Sequence, residues 1–251
     1  MNTVTSSDGT RIAFDRVGAG PAVVLVDPAM CYRGAGPNTP LAPELARDFT
    51  VYTYDRRGRG DSGDAEEYSV EREYADLAAL IEHAGGAAFV FGHSSGGVLA
   101  AGASLAGVPI ARLALFEPPP VDDGEMPVQL DKLVRAGRRG EAVELFQSSV
   151  GLPQEMIAGM RNSPFRPALD AIAHTLVYDT TIAGWITLDA YAGVAVPTLL
   201  VDSESSPPTL HESTAAVAAA VPGARRRTLP GGFHDVAPDV LAPALKEFFT
   251  A

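Results

Sequence analysis

The chain has 251 residues, enough for one large α/β domain or for a core with a modest insertion. Hydrophobic residues make up 46%, which excludes a wholly disordered chain. With 31 acidic against 19 basic residues the net charge is −12. The basic clusters, Arg56-Arg57-Gly58-Arg59 and Arg225-Arg226-Arg227, are too short a footprint for a nucleic-acid partner.

Taken in chain order, Thr3–Ser6 and Arg11–Val17 flank Asp8-Gly9 and predict a hairpin. No basic or apolar leader precedes them, so no secretory signal is expected at this start. Ala22–Asp27 (AVVLVD) is continuous and β-branched, as a strand covered on both faces should be. A helix is expected near Leu41–Arg47, then a strand at Thr50–Asp55 that ends in the turn Arg57-Gly58-Arg59-Gly60. Ser69–His83 carries helical spacing and stops at Gly85-Gly86. A strand at Ala88–Phe91, a small-residue helix at Gly96–Ala106 and a strand at Arg112–Phe116 follow. The last of these halts at Glu117-Pro118-Pro119-Pro120.

The rhythm then changes. Val121–Thr187 predicts helices near Pro127–Ala136, Gly140–Val150, Pro153–Arg161 and Pro167–Tyr178, without a strand. Pro197–Val201 resumes the strand pattern, with a helix at Thr209–Val221, a strand at Arg225–Leu229 and a helix at Leu241–Phe249. Alternating strands and helices predict an α/β fold with a mostly parallel sheet and helices on both faces. The expected division is a core of residues 1–120 and 191–251, interrupted by a helical cap at 121–190. No run approaches a membrane span, and a single cysteine, Cys31, leaves no internal disulfide. A soluble, cytoplasmic monomer or homodimer without membrane partners is expected.

Gly92-His93-Ser94-Ser95-Gly96 matches G-x-S-x-G between a predicted strand and helix. Glycines are needed there because a sharp strand-to-helix turn presses backbone against backbone. Centring the pattern on Ser95 would require glycine at 93, where His stands, so Ser94 is the candidate nucleophile. Ser95 then offers a backbone N–H to a developing oxyanion. The bland alternative, a nucleotide-binding helix start, lacks G-x-G-x-x-G or Walker spacing. Serine needs a base. Among five histidines, His83, His174 and His211 fall at or within predicted helices and His93 lies inside the elbow. His234 lies in a loop between the last strand and last helix, and follows the serine in chain order.

These features resemble the α/β-hydrolase superfamily over nearly the whole chain. The hairpin, the AVVLVD strand, Tyr54–Ser62, the Ser94 elbow and the Gly-Phe-His234 loop carry the resemblance. It implies an oxyanion donor after the third strand. Here that loop reads Asp27-Pro28-Ala29-Met30 instead of His-Gly; matching the family motif implies Ala29 as the donor ahead of Met30, while Pro28 has no N–H and cannot serve. Cys31 is read as a packed small residue. The acid common in the family would follow Pro197–Val201, but the matching positions are Ser205 and Ser206, with Asp202 nearby. Some members carry the acid at the end of the strand after the nucleophile helix, which here is Glu117. Asp27-Pro28, Ser94-Ser95-Gly96 and Glu117-Pro118 also resemble the zearalenone-lactonase-like subset. The resemblance therefore implies Ser94, His234 and Glu117 as the catalytic set, with Asp202 as the alternative acid.

Hydrolysis of a carboxylic ester or lactone without metal or organic cofactor is the implied reaction. Met30, Met126, Leu130, Phe146, Met156, Met160, Phe165, Tyr178 and Trp185 are candidates to line an apolar pocket for a hydrophobic small molecule. Thioester hydrolysis, carbon–carbon hydrolysis or cyclisation on the same fold stays open, as does a non-catalytic binding module.

Overall fold

The computed structural model describes residues 2–121 and 124–251. Residue 1 of the expected core, and residues 122 and 123 near the start of the expected cap, lie outside them. Eight strands form one sheet: β1 (Asn2–Thr5), β2 (Arg11–Gly18), β3 (Ala22–Val26), β4 (Thr50–Tyr54), β5 (Ala88–His93), β6 (Ile110–Phe116), β7 (Thr198–Ser203) and β8 (Arg225–Leu229). Their order is β1-β2-β4-β3-β5-β6-β7-β8. β2 runs antiparallel to both its neighbours, and every pairing from β4 to β8 is parallel.

Period-2 alternation explains the continuous apolar runs. Val24 and Val26 of β3 pack into one cluster with helices α2 (Val70–His83), α3 (Ser95–Leu105) and α9 (Pro208–Ala220). Val23 and Leu25, one step out of phase, pack on the opposite face against α1 (Asn38–Leu45) and α10 (Pro238–Thr250). β8 is an edge strand, and its exposed Arg225-Arg226-Arg227 puts charge where unpaired backbone would otherwise invite another chain. That accounts for one of the two basic clusters.

Between β6 and β7 the chain forms α4 (Glu125–Arg135), α5 (Arg139–Ser149), α6 (Gln154–Arg161), α7 (Arg166–Ala171), α8 (Thr175–Ala183) and a 3-10 turn (Leu188–Gly193). Leu130, Ala142, Val143, Ala173 and Leu176 form a separate cluster here, against which Ala29 and Met30 of the loop after β3 pack. The pattern at Pro167–Tyr178 predicts one helix, whereas the structure breaks it between α7 and α8. Thr175 Oγ1 donates to the Ile172 carbonyl at 2.8 Å, diverting that carbonyl locally. Asp179, on α8, is buried. Among the described residues, no helix is long and apolar enough to cross a membrane.

Candidate active site

Ser94 sits between β5 and α3 with φ 55° and ψ −122°. A Cβ on Gly92 would stand 2.5 Å from the Gly96 carbonyl oxygen, and one on Gly96 would stand 2.6 Å from the carbonyl oxygens of Val26 and Asp27. Both glycines are therefore steric requirements of the elbow. The Ser94 N–H donates to the Phe116 carbonyl at 2.8 Å, and its own carbonyl accepts from Gly97 at 2.8 Å. Ser95 is the first residue of α3, where a backbone N–H has no intrahelical acceptor. Its hydroxyl is buried and donates to Asp179 at 2.8 Å.

His234 and Glu117 meet. His234 Nδ1 lies 2.5 Å from Glu117 Oε2. Glu117 has no exposed surface, and its Oε1 accepts the Ser203 N–H at 2.7 Å. A carboxylate only accepts, so the imidazole places its proton on Nδ1 and leaves the Nε2 lone pair free to accept one. The loop is fixed from β7 and beyond. Ser203 Oγ donates to the Gly232 carbonyl at 2.6 Å, and Ser206 Oγ accepts the His234 N–H at 3.0 Å. Ser206, one of the positions where the acid is common in related chains, thus supports the histidine's backbone.

Asp202 turns to the other side of β7. It bonds Thr228 Oγ1 at 2.9 Å, His211 Nδ1 at 2.6 Å, and Arg226. Against the cost of burial, Arg226, His211 and Thr228 hold its carboxyl below the ordinary range. The structure therefore does not bring the alternative acid to His234. Strand alternation is the reason, since Ser203 faces the loop and Asp202 faces α9 and β8. His93 is buried, edge-on to His234 at 4.9 Å between ring centroids and 4.5 Å from Phe116. Burial and the neighbouring imidazole hold it well below the usual histidine value, so it stays neutral.

Ala29 and Met30 lie in the loop after β3, with Met30 at φ 62°. Arg59 Nη1 donates to the carbonyls on both sides of them, Pro28 at 2.7 Å and Cys31 at 3.1 Å. Among the described residues, the non-glycine residues with positive φ are Met30, Ser94, Glu117 and His234, all members of this one cluster. Backbone strain of this kind gathers where a site is held in a set geometry. Burial pushes the Cys31 thiol up to about 12, so it is no rival nucleophile.

The remaining pocket candidates divide. Met126 and Phe146 pack with Leu130 and Met30 in the inserted segment's own cluster. Met160 contributes its sulfur as an acceptor to Gln147 Nε2 at 3.5 Å. Met156, Phe165 and Trp185 are exposed, at 56%, 72% and 48%, so they do not line an enclosed pocket; they lie on the outward faces of short helices and turns. Tyr178 is also a correction. Its ring stacks on Tyr68 at 3.8 Å and its hydroxyl bonds Asp64, so it ties α8 to the core. A cavity of about 420 Å³ lies between α3, α9 and the 3-10 turn, with apolar walls from Val98, Pro119, Pro120, Ile186, Leu188 and Val217 beside the polar Thr209, Glu212 and Ser213. Val98 is one helical turn from Ser94 and Pro119 is two residues past Glu117.

Sequence reasoning missed the arginines under the site. Arg56, Arg57 and Arg59 are at most 1% exposed. Arg56 forks onto Glu73 at 2.8 and 2.9 Å, and Arg57 onto Asp76 at 2.8 and 2.7 Å. The available signal was Glu73 and Asp76 three apart on the buried face of an otherwise apolar helix stripe. Among the described residues, no group of three or more His, Cys, Asp or Glu side chains is placed to hold a metal ion.

A sequence model of the alpha/beta hydrolase family matches residues 13–244. An alpha/beta hydrolase from Sphaerobacter thermophilus DSM 20745 is 48% identical with a TM-score of 0.90, covering 99% of this chain and 100% of that one. A hydrolase from Pseudomonas aeruginosa PA01 shares the fold at 23% identity, TM-score 0.80, covering 100% and 98% of the two chains. The enol-lactonase from Burkholderia xenovorans LB400 does so at 19% identity, TM-score 0.80, over 100% of both.

Proposed function

The chain belongs to the alpha/beta hydrolase family, and on that premise we propose that it hydrolyses a carboxylic ester or lactone of an uncharged, hydrophobic small molecule through an acyl-enzyme on Ser94. The observation that carries this is the His234–Glu117 pair at 2.5 Å beside the strained Ser94 elbow. Register supports it. His93 pairs with Phe116 across β5 and β6, so the residues that follow, Ser94 and Glu117, leave the sheet side by side.

In the proposed reaction Ser94 Oγ attacks the carbonyl carbon while His234 Nε2 takes its proton. Glu117 keeps the imidazole in the required tautomer and balances the charge it gains. The N–H groups of Ser95 and Ala29 hold the oxyanion. His234 returns the proton to the departing alkoxide. It then takes a proton from water, whose oxygen attacks the acyl carbon and releases Ser94 with its proton restored.

The cavity that Val98 and Pro119 help to line has mainly apolar walls, with Thr209, Glu212 and Ser213 among its lining residues, which favours a largely hydrophobic substrate. An acid on β6, together with Asp27-Pro28 and Ser94-Ser95-Gly96, favours the zearalenone-lactonase-like subset and so a lactone. The fold shared with an enol-lactonase is consistent with that choice. The test is a panel of p-nitrophenyl esters and aliphatic and aromatic lactones, with fluorophosphonate labelling in parallel. Turnover and labelling should both vanish in Ser94→Ala. A folded protein that turns over no oxygen ester, or whose labelling survives that change, overturns the proposal.

A further inference from the structure

The loop after β3 and the first turn of α3 approach one carboxylate from below. Asp179, on α8 of the inserted segment, is 2% exposed. Its Oδ1 accepts from Ser95 Oγ at 2.8 Å and from Arg56 Nη1 at 2.7 Å, and its Oδ2 accepts from Arg59 Nη2 at 2.6 Å. Each partner reaches onward to the site. Arg59 Nη1 grips the Pro28 and Cys31 carbonyls that bracket Ala29 and Met30. Arg56 Nη1 also reaches the Asp27 carbonyl at 3.3 Å, and its far edge is fixed by Glu73. Ser95 carries one of the two amides assigned to the oxyanion hole.

We propose that Asp179 is a positioning residue for the oxyanion hole. Through Ser95 and the two arginines, it sets the separation and direction of the Ala29 and Ser95 N–H groups. The inference rests on the catalytic reading above, because it presumes that those amides face the reacting oxygen. Its physical content is that α3 and the loop after β3 come from separate parts of the chain, and one acceptor-only group with two oxygens fixes both. Two cations, Arg56 and Arg59, face two anions, Glu73 and Asp179, so the cluster is balanced in the dry interior. Although burial opposes it, Arg59 and Arg56 hold the Asp179 carboxyl below the ordinary carboxylate range.

Asp179→Asn preserves shape but turns an NH2 toward an arginine N–H whichever way the amide lies. Displacing a donor by a fraction of an ångström weakens the transition state more than the bound substrate. In Asp179→Asn, kcat for p-nitrophenyl butyrate per folded protein should fall about 10- to 100-fold, with KM within about threefold. Affinity for an alkylboronic acid, which forms a tetrahedral adduct on the serine, should fall in step with kcat/KM. A purely structural role would lower the melting temperature and leave these ratios alone. That outcome overturns the inference.

Ser95→Ala is the second variant, should Asp179→Asn not fold. It deletes only the 2.8 Å hydroxyl link and keeps the N–H. Its kcat should fall at least about threefold at unchanged KM, and an unchanged kcat overturns the inference. Ser94→Ala separates the two levels. If it is inactive while Asp179→Asn keeps full kcat, only the positioning role fails; if Ser94→Ala stays active, the catalytic reading fails with it.

Discussion

Replacing Glu117 by glutamine tests the acid with little change of volume. The carboxylate serves two partners, accepting the Ser203 N–H on Oε1 at 2.7 Å and facing His234 Nδ1 with Oε2 at 2.5 Å. A glutamine has one oxygen for these two places. The Ser203 amide is fixed at the end of β7 and can only donate. Turning the glutamine NH2 toward it sets donor against donor and costs about 1–3 kcal/mol. That is roughly a 5- to 150-fold bias toward the other orientation, at 1.36 kcal/mol per tenfold. In the favoured orientation the NH2 faces His234 Nδ1, which must then accept. The ring proton moves to Nε2, and the base that should receive the Ser94 proton is lost. A wrong tautomer of this kind costs as much as about 10⁴ in kcat. Glu117→Gln is therefore expected to lower kcat by roughly 10²- to 10⁴-fold, with KM little changed. The assay is initial-rate kinetics on a p-nitrophenyl ester beside Asp202→Asn. The second variant loses the charge opposite Arg226 and one of the two oxygens that serve Thr228, His211 and Arg226, so it should melt lower but keep kcat within about threefold. A Glu117→Gln enzyme within about fivefold of the parent, beside an inactive Asp202→Asn, would refute the reasoning.

Other expectations follow from single contacts. Gly96→Ala puts a Cβ 2.6 Å from two strand carbonyls, so the melting temperature by far-ultraviolet circular dichroism should drop by at least about 10 °C; a change under about 2 °C would contradict the elbow geometry. Burial pushes the Asp27 carboxyl up to about 7, with Arg59 and Arg56 pulling against it. Its unfolded value is about 4. Between those values the folded chain holds a proton the unfolded chain has lost, so this group's stabilising contribution is full below about pH 4 and is lost as pH rises through about 7. Asp27→Asn should therefore shrink the fall in melting temperature between pH 5 and pH 8, and an unchanged fall would exclude the assignment. Ala216→Phe, which fills the cavity beside Val98, should lower kcat/KM for p-nitrophenyl octanoate at least about tenfold more than for the acetate. Equal effects on both esters would place the acyl chain elsewhere.

The elements that chemistry constrains locally were legible in the chain. Gly92 and Gly96 mark the elbow because the steric demand falls on residues two apart on either side of Ser94. The central strand runs read correctly because burial on both faces leaves no polar alternation to misread. What could not be read depends on partners far along the chain. Arg56-Arg57-Gly58-Arg59 looks like a short surface cluster, yet these arginines are buried against Asp8, Glu73, Asp76 and Asp179, up to 123 residues away. A charge can be buried when its partner is also buried, and sequence spacing does not show which pairs form. Met156, Trp185 and Tyr178 failed as pocket candidates for a related reason. On short helices the direction of one large side chain is set by how the helices pack, which residue spacing does not show.

Sheet order explains why the site can hold its strain. The positive-φ residues Met30, Ser94, Glu117 and His234 follow β3, β5, β6 and β8, and β7 lies between the last two. Each strained residue costs of order 1–3 kcal/mol and persists only if its surroundings over-determine it. Each is held by a group from outside its own turn. Arg59 brackets Met30, the Phe116 carbonyl takes the Ser94 N–H, Val201 and Ser203 fix Glu117 at both ends, and Ser206 fixes the His234 amide. β7 contributes no residue to the proposed catalytic set, yet its bonds hold Glu117 and the His234 loop in place. A carboxylate at the common position after β7 would stand where these supports now act. With Glu117 as the proposed acid after β6, Ser203 and Ser206 are free to hold Glu117, the Gly232 carbonyl and the His234 N–H in place.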